Sequence, residues 1–348
     1  MTDHPTDASA PQTVRVGICG LGFMGRTHLD AYTAAIADGH DARLVAVADA
    51  DPDRRAGIPS SAGNIGESSG ERLFDPERVT GYERPENLFA DDGVDLVSLC
   101  TPTDTHVPLA TAALKAGRHV LLEKPVALTE AEVRTLAELA RSNGLICIPA
   151  MCMRFWPAWS WLKTAIADGR YGPVRAARFE RLGSAPAWNH AFYNDPARSG
   201  GALFDFHIHD ADFIVHCFGP PGAVTTTGTR NHPATVYTYP DGPATVSAEA
   251  GWLSSPHFPF RMRYTVEFES AVADFDLARD PALLVHTRHE TERPDLPGLT
   301  GYDLEIRNAI EAVRAGTQPS PTLDDAALVT RVLEAEARSL ESKRTVTL

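Results

Sequence analysis

Three groups of residues carry the chemical content of this sequence. The first is Gly20-Leu21-Gly22-Phe23-Met24-Gly25, a G-x-G-x-x-G. It directly follows the apolar run VRVGICG (14–20) and opens a helical pattern over 23–38. In that setting the motif points to a bound dinucleotide. Gly20 allows a tight turn, Gly22 lets the backbone approach a pyrophosphate, and Gly25 lets helix and strand pack closely. Phe23 and Met24 lie in the same turn and belong to the same candidate site. The helix N-terminus offers N–H groups and partial positive charge to the phosphates. Asp49 ends the second apolar run, near the expected interval of about 20 residues. Its carboxylate suits ribose hydroxyls and repels a 2′-phosphate, which favours NAD, while Arg54 and Arg55 leave NADP open.

The second group is Glu123-Lys124-Pro125, after the apolar run RHVLLE (118–123). In an open α/β sheet, ligands bind at the C-terminal edge of the strands. Lys124 would then face the reacting end of the cofactor. A surface lysine before a helix is the alternative, and local sequence does not separate the two. Pro125 restricts Lys124, and an X-Pro bond can be cis at a fixed turn. The third group is a run of acids and histidines, Asp205, His207, His209, Asp212 and His216, on an otherwise apolar segment. Buried charges need partners or a task.

The elements that must position these groups alternate between strand and helix up to residue 150. Apolar strands are expected at 14–20, 43–49, 95–100, 118–123 and 145–150. Helices are expected at 23–38, 105–117 and 129–144, the last with Thr129 as N-cap, Glu132 closing a capping box and Gly144 as C-cap. Uniformly apolar strands argue a parallel, doubly wound sheet covered on both faces. The Gly- and Ser-rich stretch 58–81 reads as a long loop. Beyond 150 the pattern changes. Helices are expected at 156–169, 200–219, 302–316 and 323–340, with alternating strands between them that suit an antiparallel sheet with one solvated face. The expected organisation is a disordered tail at 1–13, a Rossmann domain at 14–150, and a substrate-binding and oligomerisation domain of α+β type at 151–348.

The chain has 348 residues, 43% hydrophobic and 22% charged, which suits a soluble globular protein of about two domains. Its 32 Lys plus Arg against 46 Asp plus Glu give a net charge of −14, which disfavours nucleic acid and anionic lipid. No apolar run is long enough to span a membrane, and the N-terminus lacks the marks of a signal peptide. The five cysteines follow no zinc framework and read as buried thiols of a cytoplasmic protein.

The G-x-G-x-x-G, CTPTDTH at 100–106, EKP after GRHVLL, and GGALFDFHIHDADF at 200–213 together resemble the Gfo/Idh/MocA family of oxidoreductases. The similarity runs from about residue 14 to the C-terminus, strongly in the first domain and at motif level in the second. The resemblance implies that Lys124 acts with Asp205 and His209, and that Thr101, Pro102, His106 and Glu123 lie along the cofactor. On a continuous helix Asp205 and His209, at i and i+4, would share one face. His209 would then be the general base, Lys124 would stabilise charge on the substrate oxygen, and Asp205 would bind a neighbouring hydroxyl or orient the base.

His207 departs from the commoner family pattern. On a helix i and i+2 do not share a face, so no metal is expected from His207 and His209, and a structural or substrate-contact role remains. Met153, Arg154, Trp188 and Asn189 are further substrate candidates. Arg154 could instead anchor the domain junction, and Trp188 could serve as a sugar-stacking platform. The implied function is NAD(H)-dependent hydride transfer on a secondary alcohol or ketone of a sugar, inositol or related polyol. Two alternatives use the same fold: retained NAD in a lyase, epimerase or glycosidase-like reaction, and a non-enzymatic sugar or NAD sensor. A homodimer or homotetramer is expected, because the second sheet would have helices on one face only.

Overall fold

The computed structural model describes residues 13–59, 72–187 and 189–348. The expected tail (apart from Thr13), residues 60–71 of the expected loop, and Trp188 lie outside them. The first half alternates strand and helix: β1 Val14–Cys19, α1 Phe23–Ala37, β2 Ala42–Ala48, α2 Pro52–Arg55, β3 Thr80–Tyr82, α3 Pro85–Phe89, β4 Leu96–Leu99, α4 His106–Lys115, β5 His119–Glu123, α5 Glu130–Ser142 and β6 Cys147–Ala150. Every pairing is parallel, in the order β3-β2-β1-β4-β5-β6. β4 and β6 are buried throughout, as strands covered on both faces must be. β3 overlaps the end of the stretch read as a loop. At three residues, TGY, it is too short to show a period, and pairing with β2 alone makes it a strand.

The second half contains α6 Pro157–Asp168, β7 Val174–Ser184, α7 His190–Tyr193, α8 Pro196–Ser199, α9 Gly201–Asp205 and α10 Ile208–Phe218. The strands β8 Ala223–Thr229, β9 His232–Thr238, β10 Thr245–Leu253, β11 Arg261–Phe268, β12 Ala271–Asp276, β13 Leu283–Thr287 and β14 Thr291–Glu292 follow. α11 Gly301–Ala315, α12 Leu323–Ser342 and β15 Val346–Thr347 close the chain. The nine strands form one sheet, β14-β13-β12-β11-β7-β10-β9-β8-β15, antiparallel except where β10 runs parallel to β7. Side chains alternate buried and open along β8 to β12, so one face meets the helices and the other faces outward.

Two apolar clusters hold the layers together. α11 returns to the parallel sheet, where Ile306 and Ile310 pack with Leu29 and Tyr32 of α1 over Val16, Ile18 and Leu121. The other cluster runs from the opposite face of that sheet, through α5 and α12, into the inner face of the nine-stranded sheet. The helix expected over 200–219 is two helices. α9 stops at Asp205, α10 starts at Ile208, and His207 N donates to Ala202 O at 2.7 Å across the break. Two glycines with positive φ, Gly200 (φ 74°) and Gly201 (φ 68°), set the entry to α9. A Cβ on Gly201 would lie 2.8 Å from Asn231 Oδ1, so Asn231 would have to shift, and the positive φ strains any other residue there.

A buried ion pair ties these layers together. Arg154, in the turn after β6, holds Asp212 of α10 through three contacts of 2.6–3.2 Å and lies 3.5 Å from Asp325 in the first turn of α12. The pair's side chains are 5% and 1% exposed. These contacts support the junction-anchor reading of Arg154. Replacing Arg154 by Leu leaves Asp212 charged and buried. We expect it to cost about 3–5 kcal/mol of stability, read as a lower thermal midpoint; an unchanged midpoint would remove Arg154 from this role.

Candidate active site

The glycine turn has the geometry its three positions require. Gly20 has φ +82°, and a Cβ there would lie 2.8 Å from the Cys100 carbonyl oxygen. A Cβ on Gly25 would collide with the Gly20 carbonyl at 1.8 Å. Gly22 has nothing within 4 Å of that position, which leaves the side of the turn open to a ligand. Gly22 is also the N-cap of α1, and no side chain caps that terminus. Asp49 Oδ2 accepts from Leu21 N at 2.7 Å and Oδ1 accepts from Asp51 N at 2.9 Å, so the carboxylate braces the turn. Each oxygen retains a lone pair for a ribose hydroxyl. The two arginines that left NADP open are engaged. Arg54 lies 3.9 Å from Asp49 and 3.8 Å from Asp51, and Arg55 donates to the Asp49 and Ala50 carbonyls at 2.8 Å. These residues fit a dinucleotide with an unmodified ribose.

Thr101 and Pro102 follow β4, and Lys124 and Pro125 follow β5, at one edge of the parallel sheet. The Lys124–Pro125 bond is cis. His106 joins the two turns: Nδ1 is 2.8 Å from Pro125 O and Nε2 is 2.8 Å from Thr101 O. Burial pulls its pKa below the ordinary histidine range against the opposing pull of the two carbonyls. A neutral ring donates to only one of them at a time. His106 is buried and braces the two turns it joins. Glu123 is also buried, with Oε1 3.1 Å from His28 Nε2 and Oε2 accepting from Lys124 N at 3.0 Å. Burial alone would raise its pKa; the His28 hydrogen bond, helped by Lys124 and His106, holds it below the ordinary range.

Lys124 reaches across to the second half of the chain. Its Nζ donates to Asp205 O at 2.6 Å and Oδ1 at 3.1 Å. The break after α9 explains the first contact, since the Asp205 carbonyl has no helical N–H and takes the ammonium instead. Asp205 and His209 thus meet at a kink between two helices, not on one helix face. His209, in the first turn of α10, has no hydrogen-bond partner among the described residues. Burial, followed by the positive charges of Lys124 and Arg181, drives its pKa well below the ordinary histidine value. It is a neutral imidazole at pH 7, with a lone pair for a proton.

The remaining sequence candidates fall elsewhere. His207 is fully buried with Nε2 2.9 Å from Glu336 and 3.0 Å from Tyr237 Oη, so it joins the start of α10 to α12, which supports the structural one of its two readings. Glu336 opposes the burial penalty and raises the His207 pKa. Met153 is a core side chain at 2% exposure. Asn189 is exposed, and its carbonyl accepts from Phe192 N and Tyr193 N at 3.1 Å.

Two groups near the site escaped the sequence reading. Arg181 of β7 grips Asp210 of α10 with two contacts of 2.9 Å, directly beside His209, and both side chains are buried. The strand alternation carried the signal: Ala177, Phe179 and Arg181 share one face, so a cation stands among apolar neighbours. Glu305 of α11 is fully buried, and neither carboxyl oxygen has a partner among the described residues. Burial, with the charges of Glu123 and Asp212, raises its pKa well above the carboxylate range and keeps it protonated. A folded-state pKa above the unfolded one means that stability declines as pH rises from the ordinary carboxylate range toward the folded pKa. Glu305→Gln should remove that decline, so its thermal midpoint relative to the parent should be higher at pH 8 than at pH 5. Parallel midpoints would show that Glu305 is not held protonated.

Comparisons with known proteins show the family and the fold. Residues 14–151 match the model of the oxidoreductase family with the NAD-binding Rossmann fold, GFO/IDH/MocA, and residues 159–272 match a GFO/IDH/MocA C-terminal domain. Inositol 2-dehydrogenase of Rhizobium meliloti (strain 1021) is 27% identical over 97% of this chain and 99% of its own length. Trans-1,2-dihydrobenzene-1,2-diol dehydrogenase of Mus musculus is 29% identical over 74% of this chain and 80% of its own. Levoglucosan dehydrogenase, solved with NADH and levoglucosan, shares the fold with a TM-score of 0.81 at 20% identity, over 97% of this chain and 99% of that one. Matched in order by both models, the protein belongs to the GFO/IDH/MocA family of NAD-binding oxidoreductases.

Proposed function

We propose that this oxidoreductase interconverts a secondary alcohol and a ketone on a sugar, inositol or related polyol, in the cytoplasm. One observation carries the reading. Lys124, Asp205 and the unpartnered His209 converge at the C-terminal edge of the parallel sheet, where the glycine turn would place the reacting end of NAD. The relatives named for inositol and for a dihydrobenzene diol support the substrate class, since both act on ring alcohols by name. The five cysteines, all free thiols, suit a reducing compartment.

NAD, when bound, accepts or returns the hydride. Gly20, Gly22, Phe23, Met24, Gly25 and Asp49 hold its adenosine and phosphates. Thr101, Pro102 and Lys124 line its other end, braced by His106 and Glu123. In the oxidative direction His209 takes the hydroxyl proton. Its low pKa keeps it ready to do so at neutral pH. Lys124 has three N–H bonds and directs two at Asp205, so the third is available to hold the substrate oxygen and stabilise charge developing on it. The Asp205 carboxylate fixes Lys124 and can accept from a neighbouring hydroxyl. The boundaries that follow are a dinucleotide-binding unit at 14–150 and a substrate and oligomerisation unit at 151–348, with α11 packed back on the first. The outward face of the nine-stranded sheet supports a homodimer or homotetramer, with Val236 48% exposed on it.

Nicotinamide absorbance with excess NAD and a panel of inositols, aldoses and sugar acids tests the reaction. Many turnovers on one class establish it, and none on any class opposes it. Lys124→Ala and His209→Ala should each lower turnover by at least about 100-fold; unchanged turnover in either removes that residue from the mechanism. A monomeric mass at micromolar concentration would refute the oligomer.

A further inference from the structure

The inner face of the nine-stranded sheet ends, beside His209, in a row of aromatic rings. Gly183 of β7 lies opposite Trp252 of parallel β10, and Leu182 lies opposite Arg261 of antiparallel β11, which brings Phe260 next to Gly183 on the other side. Phe206, from the break between α9 and α10, meets this row from the helix layer. Its ring centroid is 6.0 Å from that of Phe260. A Cβ on Gly183 would touch Phe206 Cζ and Phe260 Cδ2 at 3.5 Å each, so the missing side chain leaves a shallow gap between the rings. Tyr193 stands edge-on to Trp252 at 5.5 Å. Phe260 is 42% exposed, and Phe206 and Trp252 are half-buried, so their ring surface remains available.

This row adjoins the reacting groups. Phe206 directly follows Asp205. Arg181, one inward position before Gly183, lies 6.0 Å from the Phe206 centroid and grips Asp210 next to His209. Among the described residues, the cations around it are matched: Lys124 by Asp205, Arg181 by Asp210, Arg261 by Glu180 at 3.5 Å, and Arg198 by Asp104 at 2.7 Å. A phosphate or carboxylate brought here would lose its hydration without an unmatched cation to replace it.

We propose that Phe206, Phe260 and Trp252, with Tyr193 packed edge-on behind Trp252, form the specificity wall of the substrate site, which accepts an uncharged ring by one apolar face. The inference rests on the dehydrogenase reading above and narrows its substrate to a cyclic, unphosphorylated polyol or diol. The C–H face of the ring covers the aromatic surface, and its edge hydroxyls point toward Lys124, Asp205 and His209.

Phe260→Ala tests the wall without opening the core, with Phe260→Tyr as the conservative control. The substrates are an inositol, cyclohexane-1,2-diol, an acyclic hexitol and an inositol phosphate. In Phe260→Ala the ratio of kcat/KM for cyclic over acyclic compounds should fall roughly five- to tenfold, mainly through KM, from lost ring-face burial. Phe260→Tyr should keep the ratio, and the phosphate should be a poor substrate for the parent. An unchanged ratio, a Tyr variant as impaired as the Ala variant, or preference for the phosphate would overturn the wall. If the parent turns over none of these compounds, the dehydrogenase reading falls separately. Calorimetric binding of the same compounds to the NADH-loaded protein then decides the wall alone. Weaker binding of the cyclic compounds by Phe260→Ala supports it, and unchanged or absent binding overturns it.

Discussion

The contact between Lys124 and Asp205 is the constraint on which the site depends. It joins the C-terminal edge of one sheet to a kink in the helices of the other. A main-chain carbonyl without its helical N–H is a ready acceptor for a lysine ammonium. The interruption between α9 and α10 provides one. The same interruption turns His209 into the first turn of a new helix, where its ring is not claimed by a neighbour. It also delivers Phe206 to the end of β7. One local departure from helical geometry therefore places a proton acceptor, an ammonium and an aromatic ring around one space.

Supporting that kink requires buried charge, and the structure compensates each charge locally. α10 sends Asp210 to Arg181 of β7 and Asp212 to Arg154 after β6, while His207 just before it meets Glu336 of α12. Such pairs add little net stability over apolar side chains of similar size, but removing one partner is expensive. They hold α10 in one position relative to three different elements. Burial keeps His209 neutral, and the positive field of Lys124 and Arg181 adds to it. Packing and proton chemistry at this site have the same physical origin.

Much of this arrangement was legible from residue order. Strong apolar runs separated by helical periods specify the parallel sheet, and the glycine positions have local reasons that the structure bears out: a positive φ at Gly20, open space at Gly22 and contact with a carbonyl at Gly25. Lys124 was ambiguous on local grounds, because nothing near it in sequence shows what lies across the cleft. The reading of 200–219 as one helix followed from apolar periodicity, which continues through the break. Periodicity does not report a wide turn at His207. Met153, Arg154 and His207, each weighed as a substrate candidate, are buried, and Arg154 and His207 have carboxylate partners that lie far from them in sequence.

The sequence by itself determined the local terms: which runs are strands, where the chain must turn through glycine, which acid ends β2, and which residue types are able to move a proton. These depend on neighbours a few positions away and on side-chain chemistry. Only the tertiary structure decided which charges became partners. Arg181 meets Asp210, Arg154 meets Asp212, and Lys124 meets Asp205 across separations of 29, 58 and 81 positions. It also decided that Phe260 and Trp252 flank Gly183, a matter of register between strands. Coulomb energy and burial depend on distance in space, and chain order does not contain that distance until the sheets have paired.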